Sequence, residues 1–242
     1  MQIILSAIDR PLLKAWQEHC GDLDGVVVQK GSILDLECDA VVSPANSFGF
    51  MDGGIDLLYS HRFSWRVQYR LQDVIRKHHH GELLVGTAEI VETDDEKIPF
   101  LIAAPTMRVP MELRFGANPY LAARAVLLLI EHGEFQSGTK KGTPVDRLIK
   151  TVAFPGLGTG VGGIPPEICA RQVSAAIREV VLGKRSFPQS WSEAQTRHQL
   201  MYTDQIRDLQ YNDPHAANVI RRADRLAQKW HRRRVRFRER WK

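Results

Sequence analysis

The chain has 242 residues, 43% of them hydrophobic and 25% charged, which is typical of one large α/β domain or of one domain with an appendage. Its net charge of +5 comes from residues 221–242, which hold 11 Lys or Arg and two acids, so that 22 basic and 26 acidic residues remain before Arg221. No window approaches the roughly 18 apolar residues that a membrane-spanning helix needs, and the N-terminus lacks the features of a signal peptide, so we expect a cytoplasmic protein without a membrane span.

Apolar runs and capping residues predict a chain in which strands and helices alternate. Short runs rich in apolar and β-branched residues predict strands at residues 2–8, 26–30, 40–43, 87–92, 100–104 and 148–154. Capping residues and spaced apolar residues predict helices at residues 9–19, 57–80, 120–131 and 165–183, followed by polar helix-like sequence from Ser190. Such alternation predicts a mixed, mostly parallel sheet that is covered by helices on both faces.

Two unusual segments follow directly after predicted strands. The first is VSPANSFGFMDGGID at residues 42–56, and the second is the glycine-dense GLGTGVGGIPP at residues 156–166. Because ligands of parallel sheets bind at the carboxyl ends of the strands, both segments are candidate site loops. The backbone N–H groups of a glycine loop suit a phosphate, although a structural turn is the alternative for the second segment taken alone.

Asn46 and Asp56 add what a phosphate loop lacks. The Asn46 amide can donate to and accept from a pair of sugar hydroxyls, and the Asp56 carboxylate can accept a proton or orient a water. A hydroxyl-binding amide and a carboxylate beside glycines suit a ribose.

Together the two segments resemble those of the macrodomain family, which binds ADP-ribose. The resemblance lies in SPAN followed by GGID and in FPGLGTGVGG, with the order of the segments and the spacing of Asn46 and Asp56 preserved. It covers about residues 1–183 and implies a macrodomain-like fold of three layers, α/β/α. Residues 184–242 are then expected to form a helical C-terminal extension that ends in the basic tail.

The resemblance also implies a role for each residue of the two segments. Asn46 would hold the distal ribose, and Asp56 would position or activate a water at its anomeric carbon, which makes these two the candidate catalytic residues. The remaining ligand contacts would come from Ser32, Ile33, Ala45, Asp52, Gly53, Gly54, Ile55, Gly158, Thr159, Gly160, Val161, Gly162 and Gly163. No metal or other cofactor is implied.

The chain departs from the family pattern at three places. Ser32 stands where many members carry an Asp that reads the adenine amino group, which leaves Asp35, weaker base contacts or a different base as alternatives. Met51 and Asp52 interrupt the glycine run, and Gly162 replaces an aromatic residue that often packs on the distal ribose. We therefore expect the distal end of the site to be open to a bulkier group.

Several other residues carry less specific signals. A predicted helix ends in three adjacent histidines, His78, His79 and His80. Three adjacent side chains on one helix cannot all face one metal ion. Arg108 is a candidate phosphate ligand, or else a surface arginine. The three cysteines form no CxxC pair and are expected to be buried thiols, at Cys20, Cys38 and Cys169.

Three functional hypotheses follow from these patterns. The leading one is hydrolysis of an ADP-ribosyl linkage in a modified protein, a modified nucleic acid or a small ADP-ribose derivative, and the alternative is a binding module without catalysis. The third is a nucleic-acid or assembly protein that works through its basic tail, where RRRVRFRERWK alternates basic with apolar and aromatic residues. A protein or membrane partner, or a solvated end, are alternatives for the tail.

Overall fold

The structure is a computed structural model, and it describes residues 1–113, 116–184 and 186–206. Within them the strands are β1 (Gln2–Ala7), β2 (Val26–Lys30), β3 (Ala40–Ser43), β4 (Glu89–Glu92), β5 (Phe100–Ala103) and β6 (Thr151–Phe154). The α-helices are α1 (Arg10–Cys20), α2 (Gly54–Phe63), α3 (Arg66–His78), α4 (Asn118–His132), α5 (Val145–Leu148), α6 (Pro166–Val180) and α7 (Trp191–Leu200). A 3₁₀ turn at Ile33–Asp35 follows β2.

The six strands form one sheet in the order β2-β1-β6-β3-β5-β4. Every neighbouring pair is parallel except β4 with β5, which places the single antiparallel strand at one edge. The predicted mixed, mostly parallel sheet is therefore confirmed. Its five parallel strands all end at the same edge, where ligand sites of such sheets lie.

Side chains of each strand alternate between two hydrophobic cores, one on either face of the sheet. Leu5 points into a core that it shares with Trp16 of α1 and with residues of α4 and α6. The adjacent Ile4 points into the second core, with Tyr59 of α2 and Leu71 of α3. This alternation is the period of a strand, and it produces the predicted α/β/α layers.

Two predicted elements differ from those observed. The predicted helix at 57–80 is two helices, because Ser64 between α2 and α3 has a backbone φ of 62°, which no α-helix contains. The predicted strand at 148–154 begins only at Thr151. The Asp39 carboxylate accepts hydrogen bonds from the backbone N–H groups of Lys150 and Thr151 at 2.8 and 2.7 Å, which fixes the turn before β6.

The chain divides into two compact units, Met1–Phe187 and Pro188–Lys242. The first holds the sheet and its covering helices; in the second, α7 begins after Ser190, whose hydroxyl accepts a hydrogen bond from Glu193 N. The predicted basic tail lies outside the described residues, and the domain boundary predicted after residue 183 stays a prediction. No helix among the described residues is long and apolar enough to cross a membrane.

The loop after β3 depends on Gly49, which has a backbone φ of 67° and would place a Cβ 2.9 Å from Ile75 Cδ1. Gly49→Ala is expected to lower the free energy of unfolding by about 2–4 kcal/mol, because backbone strain adds to overpacking of the second core. Denaturant unfolding measures this loss.

Gly183 is the matched control, since its φ is 63° and no atom lies within 4 Å of the Cβ position. Gly183→Ala should lose only about 1 kcal/mol. Equal losses in the two variants would contradict a packing role for Gly49.

Candidate functional site

A cavity of about 410 Å³ opens at the carboxyl edge of the sheet. Its walls come from the segments that follow β1, β2, β3, β5 and β6, which the parallel topology brings to one edge. The predicted site residues that line it are Ser32, Ile33, Ala45, Asn46, Asp52, Gly53, Gly54, Ile55, Asp56, Gly158, Thr159, Gly160, Val161 and Gly162. Gly163 is outside the lining, and its N–H donates to Gly160 O at 3.0 Å to close the turn behind the second loop.

Asp56 is a buried carboxylate on the wall of this cavity. It lies in the first turn of α2, and only 8% of the residue is exposed. The hydroxyl of Ser43, the last residue of β3, donates to Asp56 Oδ1 at 2.6 Å. Burial raises the pKa of Asp56 to about 7, and the Ser43 hydrogen bond opposes part of that rise. Near neutral pH this carboxyl group can therefore take up or release a proton.

Asn46 uses its side chain to hold the loop that follows it. Its Oδ1 accepts from the backbone N–H groups of Phe48 and Phe50 at 3.1 and 3.3 Å, and its Nδ2 donates to Phe50 O at 2.8 Å. One amide hydrogen of Nδ2 is left for a ligand in this arrangement. Asn46 thus shapes the cavity wall as well as lining it.

Glycines in the two loops serve the cavity in two different ways. A Cβ on Gly162 would lie 2.5 Å from Gly158 O and 2.9 Å from Leu113 Cδ1, so packing excludes a larger residue at this position. By contrast, a Cβ on Gly53 or Gly160 would meet no atom within 4 Å. Both line the cavity, so the fold by itself does not require glycine at these two positions.

The charged side chains that line the cavity are all acidic. Among the described residues they are Asp9, Asp52 and Asp56, with no Lys, Arg or His. Arg108, the candidate phosphate ligand, is outside the lining: it pairs with Glu82 at 2.7 Å and lies over the Phe48 ring. Among the described lining residues, the groups that suit an anion are backbone N–H groups, such as those of the first turn of α2, whose N-cap residue Gly53 provides no side-chain cap.

The far end of the cavity lies beside β1 and β2. Ser32 Oγ accepts from Leu34 N at 3.2 Å and so caps the 3₁₀ turn, whereas Asp35 is outside the lining. Asp9 lines this end while its Oδ1 accepts from Leu12 N at 2.8 Å, which confirms the predicted cap of α1. The acidic residue at this end of the cavity is thus Asp9, and not Asp35, which was one of the alternatives for reading the nucleobase.

Sequence reasoning missed residues that only the fold brings to the site. Ser43 could have been noticed as a polar residue at the end of a buried strand, and Phe50 as an aromatic residue in a flexible segment. Of the histidine tract, His79 Nε2 lies 3.4 Å from Glu89 Oε1, and neither residue lines the cavity. The described residues contain no group of three His, Cys, Asp or Glu side chains that could hold a metal ion.

Comparisons with known proteins identify the family. The Macro domain family model matches residues 42–173. An uncharacterized protein of Aquifex aeolicus is 32% identical over 154 residues, which are 64% of this chain and 81% of that protein. One from Pyrobaculum aerophilum is 28% identical over 163 residues, covering 66% of this chain and 79% of that protein.

A similar solved structure is the macrodomain of Mycobacterium tuberculosis DarG. It has a TM-score of 0.50 at 21% identity and covers 62% of this chain and 88% of that one. This likeness supports the fold, and the family model supports the membership. The chain belongs to the macrodomain family.

Proposed function

We propose that this macrodomain binds ADP-ribose, or a derivative of it, in the cavity and hydrolyses an ADP-ribosyl linkage there. The observation that carries the proposal is Asp56, a buried carboxylate with a pKa of about 7 on the wall of a glycine-lined cavity. A general base works best when its pKa lies near the working pH. Family membership supports the choice of ligand.

The glycine loops supply the diphosphate site in this proposal. With no cationic side chain among the described lining residues, the diphosphate is bound by backbone N–H groups of the second loop and of the α2 N-terminus. The open space at Gly53 and Gly160 is the space that such a ligand would fill. The nucleobase of the ligand lies at the end beside Ser32 and Asp9, and the distal ribose lies beside Asn46 and Asp56.

Asp56 acts as the base in the proposed reaction, and Ser43 positions it. The ionised carboxylate takes a proton from a water whose oxygen bonds to the anomeric carbon of the distal ribose. The bond to the attached group breaks with its electron pair on that group, which then receives the proton. Asp52 also lines the cavity, but Asp56 is the better base because it is buried and oriented by Ser43.

Gly160→Val tests the binding site without disturbing the fold. A Cβ at position 160 would meet no atom within 4 Å, so the free energy of unfolding should stay within about 0.5 kcal/mol of the wild type. Because the valine would occupy the proposed diphosphate space, ADP-ribose affinity measured by calorimetry should fall at least about tenfold, or about 1.4 kcal/mol. Unchanged affinity would place the ligand elsewhere.

Asp56→Asn tests the hydrolytic step. The variant keeps the shape of the side chain but cannot take a proton, so release of ADP-ribose from modified protein or modified DNA should fall at least about a hundredfold. ADP-ribose binding should change by less than about tenfold. Undiminished release would contradict the role of Asp56. If the wild type also binds but releases nothing, the protein is a binding module.

Ser43→Ala tests the positioning of Asp56 through the pH profile. Because the active carboxylate is ionised, the wild-type rate should rise with pH and level off above about 7. Removing a hydrogen bond to a charged group costs about 1.5–3 kcal/mol, which moves the midpoint of the profile upward by about one to two pH units. Ser43→Thr keeps the hydroxyl and should keep the wild-type midpoint. A midpoint that stays unchanged in Ser43→Ala would contradict this role.

The proposal does not specify which molecule carries the ADP-ribosyl group. ADP-ribosylated protein, ADP-ribosylated nucleic acid and small derivatives are all compatible with a distal end that is open, as the sequence predicts. A cytoplasmic location also stays a prediction. The hypothesis that the basic tail binds nucleic acid concerns residues outside the described part of the chain.

A further inference from the structure

Two residues at the cavity mouth have no part in the proposed hydrolysis. Phe50 is 53% exposed and Asp52 is also exposed, and both line the cavity. They belong to the loop between β3 and α2, which also leads to Asp56. Phe50 is hydrogen-bonded to Asn46, which lies beside the distal ribose in the proposed binding mode, so we assign this part of the loop to that end of the cavity.

The backbone holds both residues in fixed positions. Asn46 bonds to the N–H and to the carbonyl of Phe50. Met51, which lies between the two, is fully buried, with its N–H donating to Gln68 Oε1 and its carbonyl accepting from Ser60 Oγ, each at 2.7 Å. An exposed Phe and an exposed Asp are thus presented by a turn anchored on both sides.

Phe50 offers an aromatic face to whatever enters the mouth. An aromatic ring left half in water forgoes part of its burial free energy, yet this one is held in place on a cavity wall. Three further large apolar residues of the lining are exposed, Leu58 at 51%, Val161 at 66% and Ile8 at 76%. Such a surface suits a flat group attached to the ribose.

Asp52 gives this surface a sign. Its carboxylate makes no hydrogen bond or ion pair with any described residue, and no cationic side chain among those residues lines the cavity. An uncompensated negative charge would weaken the binding of a diphosphate nearby. A negative charge and an aromatic face on the wall of the same cavity favour a flat cation, through ion pairing and cation–π attraction.

We propose that Phe50 and Asp52 form a subsite for a flat cation joined to the distal ribose. The subsite rests on the proposed function, because the ADP-ribose part must occupy the cavity. Two sources supply this chemistry: the pyridinium ring of oxidised nicotinamide adenine dinucleotide, and the guanidinium of an arginine that carries ADP-ribose.

The test compares ligands that differ in charge at this one group. In the Asp56→Asn background, which prevents turnover, calorimetry measures the affinities of ADP-ribose and of the oxidised and reduced dinucleotides. The oxidised form should bind about tenfold more tightly than the reduced form, whose nicotinamide ring carries no charge. Adding Asp52→Asn should bring this ratio to about one, and adding Phe50→Leu, which keeps an apolar side chain, should lower it severalfold.

Asp9→Asn is the matched control. It neutralises a carboxylate on the same cavity but at the base end, and asparagine preserves the cap of α1. The ratio between oxidised and reduced dinucleotide should stay at its original value. A ratio that falls as much in this variant as in Asp52→Asn would overturn the subsite.

A second arm distinguishes the two sources. Peptides that carry ADP-ribose on arginine or on serine are compared for binding to the same background variant. A preference for the arginine adduct that disappears with Asp52→Asn assigns the subsite to modified arginine. A preference confined to the dinucleotide assigns it to the pyridinium. No preference in either pair overturns the subsite, whereas absence of ADP-ribose binding overturns the proposed function itself.

Discussion

The site depends on one constraint of the sheet, which is that five parallel strands end at the same edge. The chain must leave the sheet there after each of them, and the emerging segments enclose a cavity without any further element. Because β3 lies between β6 and β5, its loop and the glycine loop after β6 face the same space. The backbone N–H groups that these turns leave unpaired are then available to an anion. The cavity and the proposed anion site therefore have the same topological origin.

Burial of Asp56 follows from the same constraint. The short loop after β3 returns directly into α2, so the first turn of that helix lies against the strand end, and Ser43 and Asp56 meet at 2.6 Å. A carboxylate in that position loses solvation, which raises its pKa to about 7. In the folded state the proton is held more tightly than in the unfolded chain, so the stability present below about pH 4 decreases as the pH rises towards 7. Burial of this carboxyl group therefore costs stability at neutral pH, where the group can change its protonation state.

Most of the fold could be predicted from local sequence patterns. The strands at 26–30 and 40–43 could be predicted to the residue, because β-branched runs bounded by turn signals are local patterns. The break between α2 and α3 could not be predicted, because it depends on the positive φ of Ser64, which the spacing of apolar residues does not indicate. The two loops were recognisable from their order and glycine content. Other features could not be predicted because they depend on how the chain folds in three dimensions. They are the hydrogen bonds of the Asn46 side chain, the position of Asp9 in the cavity and the exposure of Phe50.

The carboxylates among the described lining residues and the backbone dipoles that would bind phosphates act over different distances. Backbone dipoles attract an anion only over the first turn of a helix or the span of one loop, whereas a carboxylate acts over several ångströms in a partly buried cavity. In the proposed binding mode, the phosphates of an anionic ligand lie against the glycines and its uncharged sugar lies near Asp56. Uncharged or cationic groups then have to occupy the ends of the cavity, where Asp9 and Asp52 are found. In the proposed binding mode, the charges of the described lining residues set the direction in which the nucleotide lies, and that direction determines which of its bonds comes near Asp56.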